Sequence, residues 1–172
     1  MIKIEAKGFD GLKKKFDTLS KEGKAEVQSA LNDWADSVSQ DAIKLAPADE
    51  SNLRSSIHPN YGNGFASVTA TAKYAAYIEF GTRKFATAYV SSLPQDWATY
   101  AATFKGPSGG TFKEFVKSLM AWGERTGKMD PKYAYVTALK ILRDGIKPQP
   151  YLYPSVNKNL PQLIKDLKEI YK

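Results

Sequence analysis

The feature that most constrains this chain is one apolar stripe. Val27, Leu31, Trp34, Val38, Ala42 and Leu45 recur at steps of four, three, four, four and three. Such steps hold side chains on a single face of an α-helix through about five turns. Gln28, Asp33, Asp36, Gln40 and Asp41 fall off that face and are polar. Pro47 closes the run, because the residue before a proline is pushed out of helical geometry. The spacing predicts a helix from Lys24 to Ala46 whose stripe is core. The rest of the chain must supply the surface that covers it.

Short alternating segments are the first source of that surface. Ile2, Ile4 and Ala6 alternate with charged residues and predict a half-exposed strand. A short helix from Leu12 to Leu19 is expected next, broken by Gly23. Beyond Pro47, Leu53 to Ile57 reads as a strand, and Asn60-Tyr61-Gly62-Asn63-Gly64 as a turn joining two strands. The second strand continues through Phe65, Ser67, Thr69 and Thr71, alternating with Ala66, Val68, Ala70 and Ala72. Tyr74, Ala76, Ile78 and Phe80 again fall on one side at period two, and Gly81 permits a turn. The expectation is an antiparallel three-stranded meander from Leu53 to Phe80, since its connections are short.

From residue 85 the texture changes. Tyr89, Trp97, Tyr100 and Phe104 follow no clean period, and Gly106-Pro107-Ser108-Gly109-Gly110 is a loop on composition. Helices are predicted from Thr111 to Gly123 and from Asp130 to Asp144. The second has an acceptor and a proline at its start and Gly145 as its stop. Its apolar positions are Ala134, Val136, Leu139, Ile141 and Leu142. Three prolines between Lys147 and Pro154 suggest an extended edge segment, followed by a closing helix from Asn159 to Tyr171. The fold class expected is α+β: one long amphipathic helix and a C-terminal helix packed on a small, mainly antiparallel sheet. Residues 1–172 form a single domain in this reading, with 85–145 a helical insertion inside it.

Chemistry is sparse. The chain has no cysteine, which excludes disulfides and thiol nucleophiles. His58 is the one histidine and has no second ligand or orienting carboxylate at useful spacing. Neither Ser55-Ser56 nor Ser91-Ser92 sits in a nucleophile elbow, and the glycine-rich loop lacks the lysine of a phosphate-binding loop. No pair of carboxylates suggests a wall hydrolase. No cofactor, metal or enzymatic activity is expected. The N-terminus carries no secretory signal, and no apolar run reaches the length of a membrane span.

The charge of +7 is unevenly spread, with residues 1–50 at −2, residues 51–129 at +5 and residues 130–172 at +4. A basic excess favours acidic partners, nucleic acid included. The rival reading is therefore a DNA-binding module, although no recognised DNA-reading motif is present. Lys13-Lys14-Lys15 reads as the solvated face of a helix.

Four blocks stand in one order: the long helix ending Leu45-Ala46-Pro47, then Leu53-Arg54-Ser55-Ser56-Ile57, then Tyr74 to Arg83 containing Glu79-Phe80-Gly81-Thr82-Arg83, then Pro150-Tyr151-Leu152-Tyr153-Pro154-Ser155-Val156. That order resembles the tail-completion family of long-tailed double-stranded DNA bacteriophages, the head–tail joining or minor tail components. The chain departs from the family in one place: Asp49-Glu50-Ser51 lacks the usual glycine. The resemblance implies a non-enzymatic virion protein, made in the host bacterial cytoplasm and assembling as a ring at the neck. Its implied partners are further copies of itself, neighbouring neck proteins on the head-completion or stopper side, and the tail terminator or tail-tube protein. Weak contact with channel DNA is also implied, and no membrane. The expected contact residues are Glu79, Phe80, Gly81, Thr82, Arg83 and Lys84 at one turn, with Pro150, Tyr151 and Tyr153 in the proline-rich run. Glu79 either pairs locally with Arg83 or Lys84 or faces a basic patch on another subunit.

Overall fold

The computed structural model describes residues 2–5, 21–48, 52–104 and 111–170. The helix expected from Leu12 to Leu19, Lys13-Lys14-Lys15 and the loop at 106–110 lie outside them. The architecture is α+β, with a three-stranded antiparallel sheet. The chain divides into two compact units, one from the described parts of 1–75 and 150–172, the other from those of 76–149.

The first unit is organised by helix α1 (Lys21–Leu45). Val27, Leu31, Trp34, Val38 and Ala42 are all buried, as the stripe requires, while Leu45 at its end is exposed. The helix begins earlier than expected, and Gly23 lies in its first turn instead of breaking the chain. First-turn N–H groups have no intrahelical partner in any case, so a glycine there costs little cooperativity. Ala46 N donates to Ala42 O at 2.8 Å, and Arg54 Nε donates to Ala46 O at 2.8 Å, satisfying a carbonyl just past the helix end.

Arg54 belongs to α2 (Asn52–Ser55), one helical turn where a strand was expected. Ser56 Oγ donates to Leu53 O at 2.7 Å, and this return bond is the local alternative to an extended chain that serine offers. Strands β2 (Ile57–Gly62) and β3 (Phe65–Ala70) then form a hairpin in which Gly62 faces Phe65 across Asn63-Gly64. The third strand is β1 (Ile2–Glu5), antiparallel to β3 with Ile4 opposite Val68, which puts β3 in the centre.

The expected third strand, Tyr74–Phe80, is instead helix α3 (Ala75–Phe80). Its buried residues are Ala75, Ala76, Glu79 and Phe80, spaced as one helical face. In so short a run period two and period 3.6 coexist, and the alanine pair favours the helix.

Two short helices follow where no period is visible in the sequence: α4 (Arg83–Val90) and α5 (Gln95–Ala101). Helix α6 (Phe112–Thr126) opens on a capping box, with Glu114 N donating to Thr111 Oγ1 at 3.3 Å and Thr111 N to Glu114 Oε2 at 2.7 Å. It runs past Gly123 to a left-handed Gly127. A 3-10 turn (Pro131–Tyr133), held by Asp130 accepting from Lys132 N, leads into α7 (Ala134–Asp144).

The last helix, α8 (Leu152–Ile170), begins inside the run expected to be extended. Pro154 sits in its first turn, where a missing N–H costs nothing. Helix α8 buries Leu152, Ser155, Val156, Leu163 and Leu167 and packs on α1, which also packs on β2 and β3. The pair is tied by Asp41, whose carboxylate accepts from Asn159 Nδ2 and Lys158 Nζ, each at 2.9 Å. Those bonds hold the Asp41 carboxyl below its usual range.

Two outcomes are expected. Trp34→Ala should destabilise this unit by about 3–5 kcal/mol in chemical unfolding, the usual cost of deleting a buried aromatic. Asp41→Ala should cost about 1 kcal/mol near neutral pH. A lowered carboxylate pKa stabilises the fold above its unfolded value of about 4 and stops doing so as pH falls through the folded one. The difference between wild type and Asp41→Ala should therefore shrink as the medium is acidified below pH ~4.

Candidate assembly surfaces

The Glu79–Lys84 corner lies in the second unit and is pinned by the chain that leaves α7. At Gly81 the backbone has φ +73°, and a Cβ there would stand 2.7 Å from Ile146 O and 2.9 Å from Pro148 N. Both facts demand glycine. Thr82 N donates to Ile146 O at 3.0 Å, and Thr82 Oγ1 accepts from Ile146 N at 2.7 Å. Thr82 occupies the position before α4, but its hydroxyl serves this distant backbone and not its own helix. Gln149 N donates to Ile78 O at 2.7 Å and extends the clamp. Arg83 carries a positive φ of 53° as α4 starts.

Below the corner, Phe80 is buried against Trp97 (ring centroids 6.4 Å) and Phe104 (5.9 Å), with Tyr100 edge-on to Phe104 at 5.0 Å. Aromatics that show no period in the sequence thus form one cluster, Trp97 and Phe104 on Phe80 and Tyr100 on Phe104. Above it, Asp144 accepts from Lys84 Nζ at 2.8 Å and from Arg143 Nη2 at 3.0 Å. The two cations hold its carboxyl far below the usual carboxylate range.

This geometry sorts the expected contact residues. Glu79 is 0% exposed, and Phe80, Gly81 and Tyr151 are buried as well. These four present little side-chain surface, and Glu79 has an interaction partner within the structure. Thr82, Pro150 and Tyr153 are half-buried, while Arg83 and Lys84 are exposed. Lys84 pairs with Asp144, not with Glu79 as the local alternative had it. The structure divides these residues between the two units, with 79–84 in one and 150, 151 and 153 in the other. His58 is exposed on β2 opposite Thr69.

A larger surface is one that the sequence reading does not single out. On α7 the buried hydrophobic positions are Ala134 and Ala138, whereas Tyr135 (57% exposed), Val136 (64%), Leu139 (47%) and Leu142 stand outward. Val136, Leu139 and Leu142 belong to the apolar pattern of the helix, yet they are not the side that is covered. A signal exists, since the small residues at 134 and 138 lie on one face and allow the closest approach, while Val136 and Leu139 point to the opposite side. Among the described residues, no helix is long and apolar enough to cross a membrane, and no acidic or histidine cluster could hold a metal ion.

An α+β chain with one covered helix and outward apolar and basic surfaces has the character of a component that binds neighbours. Residues 10–81 match the model of the HK97-gp10-like family, described as "Bacteriophage HK97-gp10, putative tail-component". The match ends at Gly81 and takes in α1, the hairpin and α3. It supports a phage tail-component family, in agreement with the resemblance carried by the motifs. Comparison with curated proteins and with solved structures gives no match.

The corner can be tested by paired substitutions. Gly81→Ala should destabilise the protein by more than the roughly 1–2 kcal/mol of a left-handed backbone alone, because its methyl also meets Ile146 and Pro148. Gly127→Ala, at φ +65° with nothing within 4 Å of the added carbon, should show the backbone cost only. Urea unfolding of the two variants reads the difference.

Proposed function

We propose that this protein is a structural component of the phage neck, assembling as a ring that completes the tail and joins it to the DNA-filled head. The observation that carries the reading is the tail-component match over residues 10–81. A phage tail component acts in the virion, against other phage structural proteins. On this reading the ring touches a head-completion or stopper protein on one side and a tail terminator or tail-tube protein on the other, and performs no catalysis. Arg83 and Lys84 are the part of the motif corner exposed enough to reach a neighbour, with Pro150 and Tyr153 partly so. A ring of identical subunits needs a head-to-tail contact that closes by rotation. The DNA-binding alternative draws no support from the family match.

In a phage carrying this protein, Arg83→Ala with Lys84→Ala should leave the subunit folded. The Lys84–Asp144 pair is exposed on its lysine side (59%) and contributes little to stability. Electron microscopy of lysates should then show filled heads and finished tails that remain unjoined, with a sharp fall in titre. Normal particles and titre would sink the role assigned to this corner.

A further inference from the structure

The 76–149 unit buries few large apolar side chains. Among its described residues the buried hydrophobics are Ala76, Phe80, Ala134 and Ala138. Meanwhile Tyr135, Val136, Leu139 and Leu142 form one outward stripe on α7, flanked by the exposed Lys140 and Arg143. Four such side chains expose apolar area on the order of a few hundred Å², the size at which a patch on a monomer becomes a binding surface. Lys132 pairs with Asp130 at 2.6 Å and Arg143 with Asp144 at 3.0 Å, whereas among the described residues the exposed Lys140 makes no ion pair and is the cation the stripe offers.

The complementary surface is on the other unit. Residues 25–43 of α1 contain Glu26, Asp33, Asp36 and Asp41 and no lysine or arginine. Asp41 is taken up by α8. Glu26 and Asp33 are off the buried stripe, and Asp36, one turn from Asp33, accepts a hydrogen bond from the Tyr61 hydroxyl. Gln28 ties the hairpin end to the same helix, accepting from Gly64 N at 2.7 Å. That end adds two exposed rings, Tyr61 (49%) and Phe65 (50%). The face is thus acidic with aromatic anchors, where the α7 face is apolar with a basic rim.

We propose that the α7 stripe of one copy docks on the acidic α1 face and hairpin end of a second copy, head to tail. The proposal rests on the ring reading and deepens it by naming the two faces that meet. Charge selects this pairing over a twofold contact of α7 with itself, which would set Lys140 against its own equivalent. Because the two faces differ, each copy offers one and accepts the other, and the contact propagates from copy to copy.

The test uses charge exchange in the full chain. Lys140→Glu and Asp33→Lys are surface changes, and unchanged thermal unfolding confirms that each variant folds. Sedimentation across a concentration series at low salt reads association. The wild type should associate. Each variant alone should dissociate at concentrations where the wild type is assembled, since every contact then sets like charges together. An equimolar mixture should recover association. In it, one contact sets the introduced glutamate on the introduced lysine, and the other pairs two unaltered faces. Leu139→Asp should weaken association by about tenfold or more, as expected for an interface anchor. Association of the single variants at wild-type strength, or no recovery in the mixture, would overturn the proposed contact while leaving a ring built on other surfaces standing. A wild type that stays monomeric at every concentration would overturn the contact as well. The joining role assigned to the corner is judged separately, by the phage altered at Arg83 and Lys84.

Discussion

Burial of the α1 stripe is the interaction on which the first unit depends. Trp34, Val38 and their neighbours are covered because the hairpin and α8 both pack against the same helix. Each of those partners would be marginal alone, since a two-stranded hairpin and a single amphipathic helix gain stability mainly by packing. The polar contacts around the stripe fix its register. Asp41 holds Asn159 and Lys158 of α8, Gln28 holds the hairpin end, and Arg54 closes the carbonyl end past Leu45.

The second unit is held by a different device. Its most specific feature is a backbone clamp between the Gly81-Thr82 corner and the stretch of chain from Gly145 to Gln149. Glycine is required at 81 by conformation and by space, and threonine at 82 supplies the acceptor for Ile146 N. The most recognisable motif of the chain is therefore largely architectural. It sets the direction in which Arg83 and Lys84 leave the corner, and its buried Phe80 packs against Trp97 and Phe104.

Charge is unevenly placed along the helices. Acidic residues crowd α1 with no base between Lys24 and Lys44, and the α7 stretch from Pro131 to Arg143 carries bases with no acid. Exposed charges of this kind contribute little to folding and much to the choice and orientation of partners. A virion component has reason to keep both faces, because it must remain soluble until the right neighbour arrives.

The sequence by itself determined the long helix, its core face, its stop at Pro47, a hairpin turn within Asn60–Gly64 (narrower in the structure, where residues 60–62 are strand) and the stop signal of α7. These follow from periodicity and from local chemistry that nearby residues complete. It also carried the order of motifs that points to a phage tail family. Tertiary structure alone decided the rest. Tyr74–Phe80 satisfied two periods, and beyond the helix preference of its alanines, packing decided that Glu79 is buried with Phe80. The sheet took its third strand from residues 2–5, a pairing distant in sequence that no local signal encodes. On α7 the apolar pattern was plain, yet which side of it would be covered depended on alanine allowing close approach at 134 and 138. Local propensity specifies elements, whereas the choice of buried face is made by what lies opposite, and that is a property of the assembled fold.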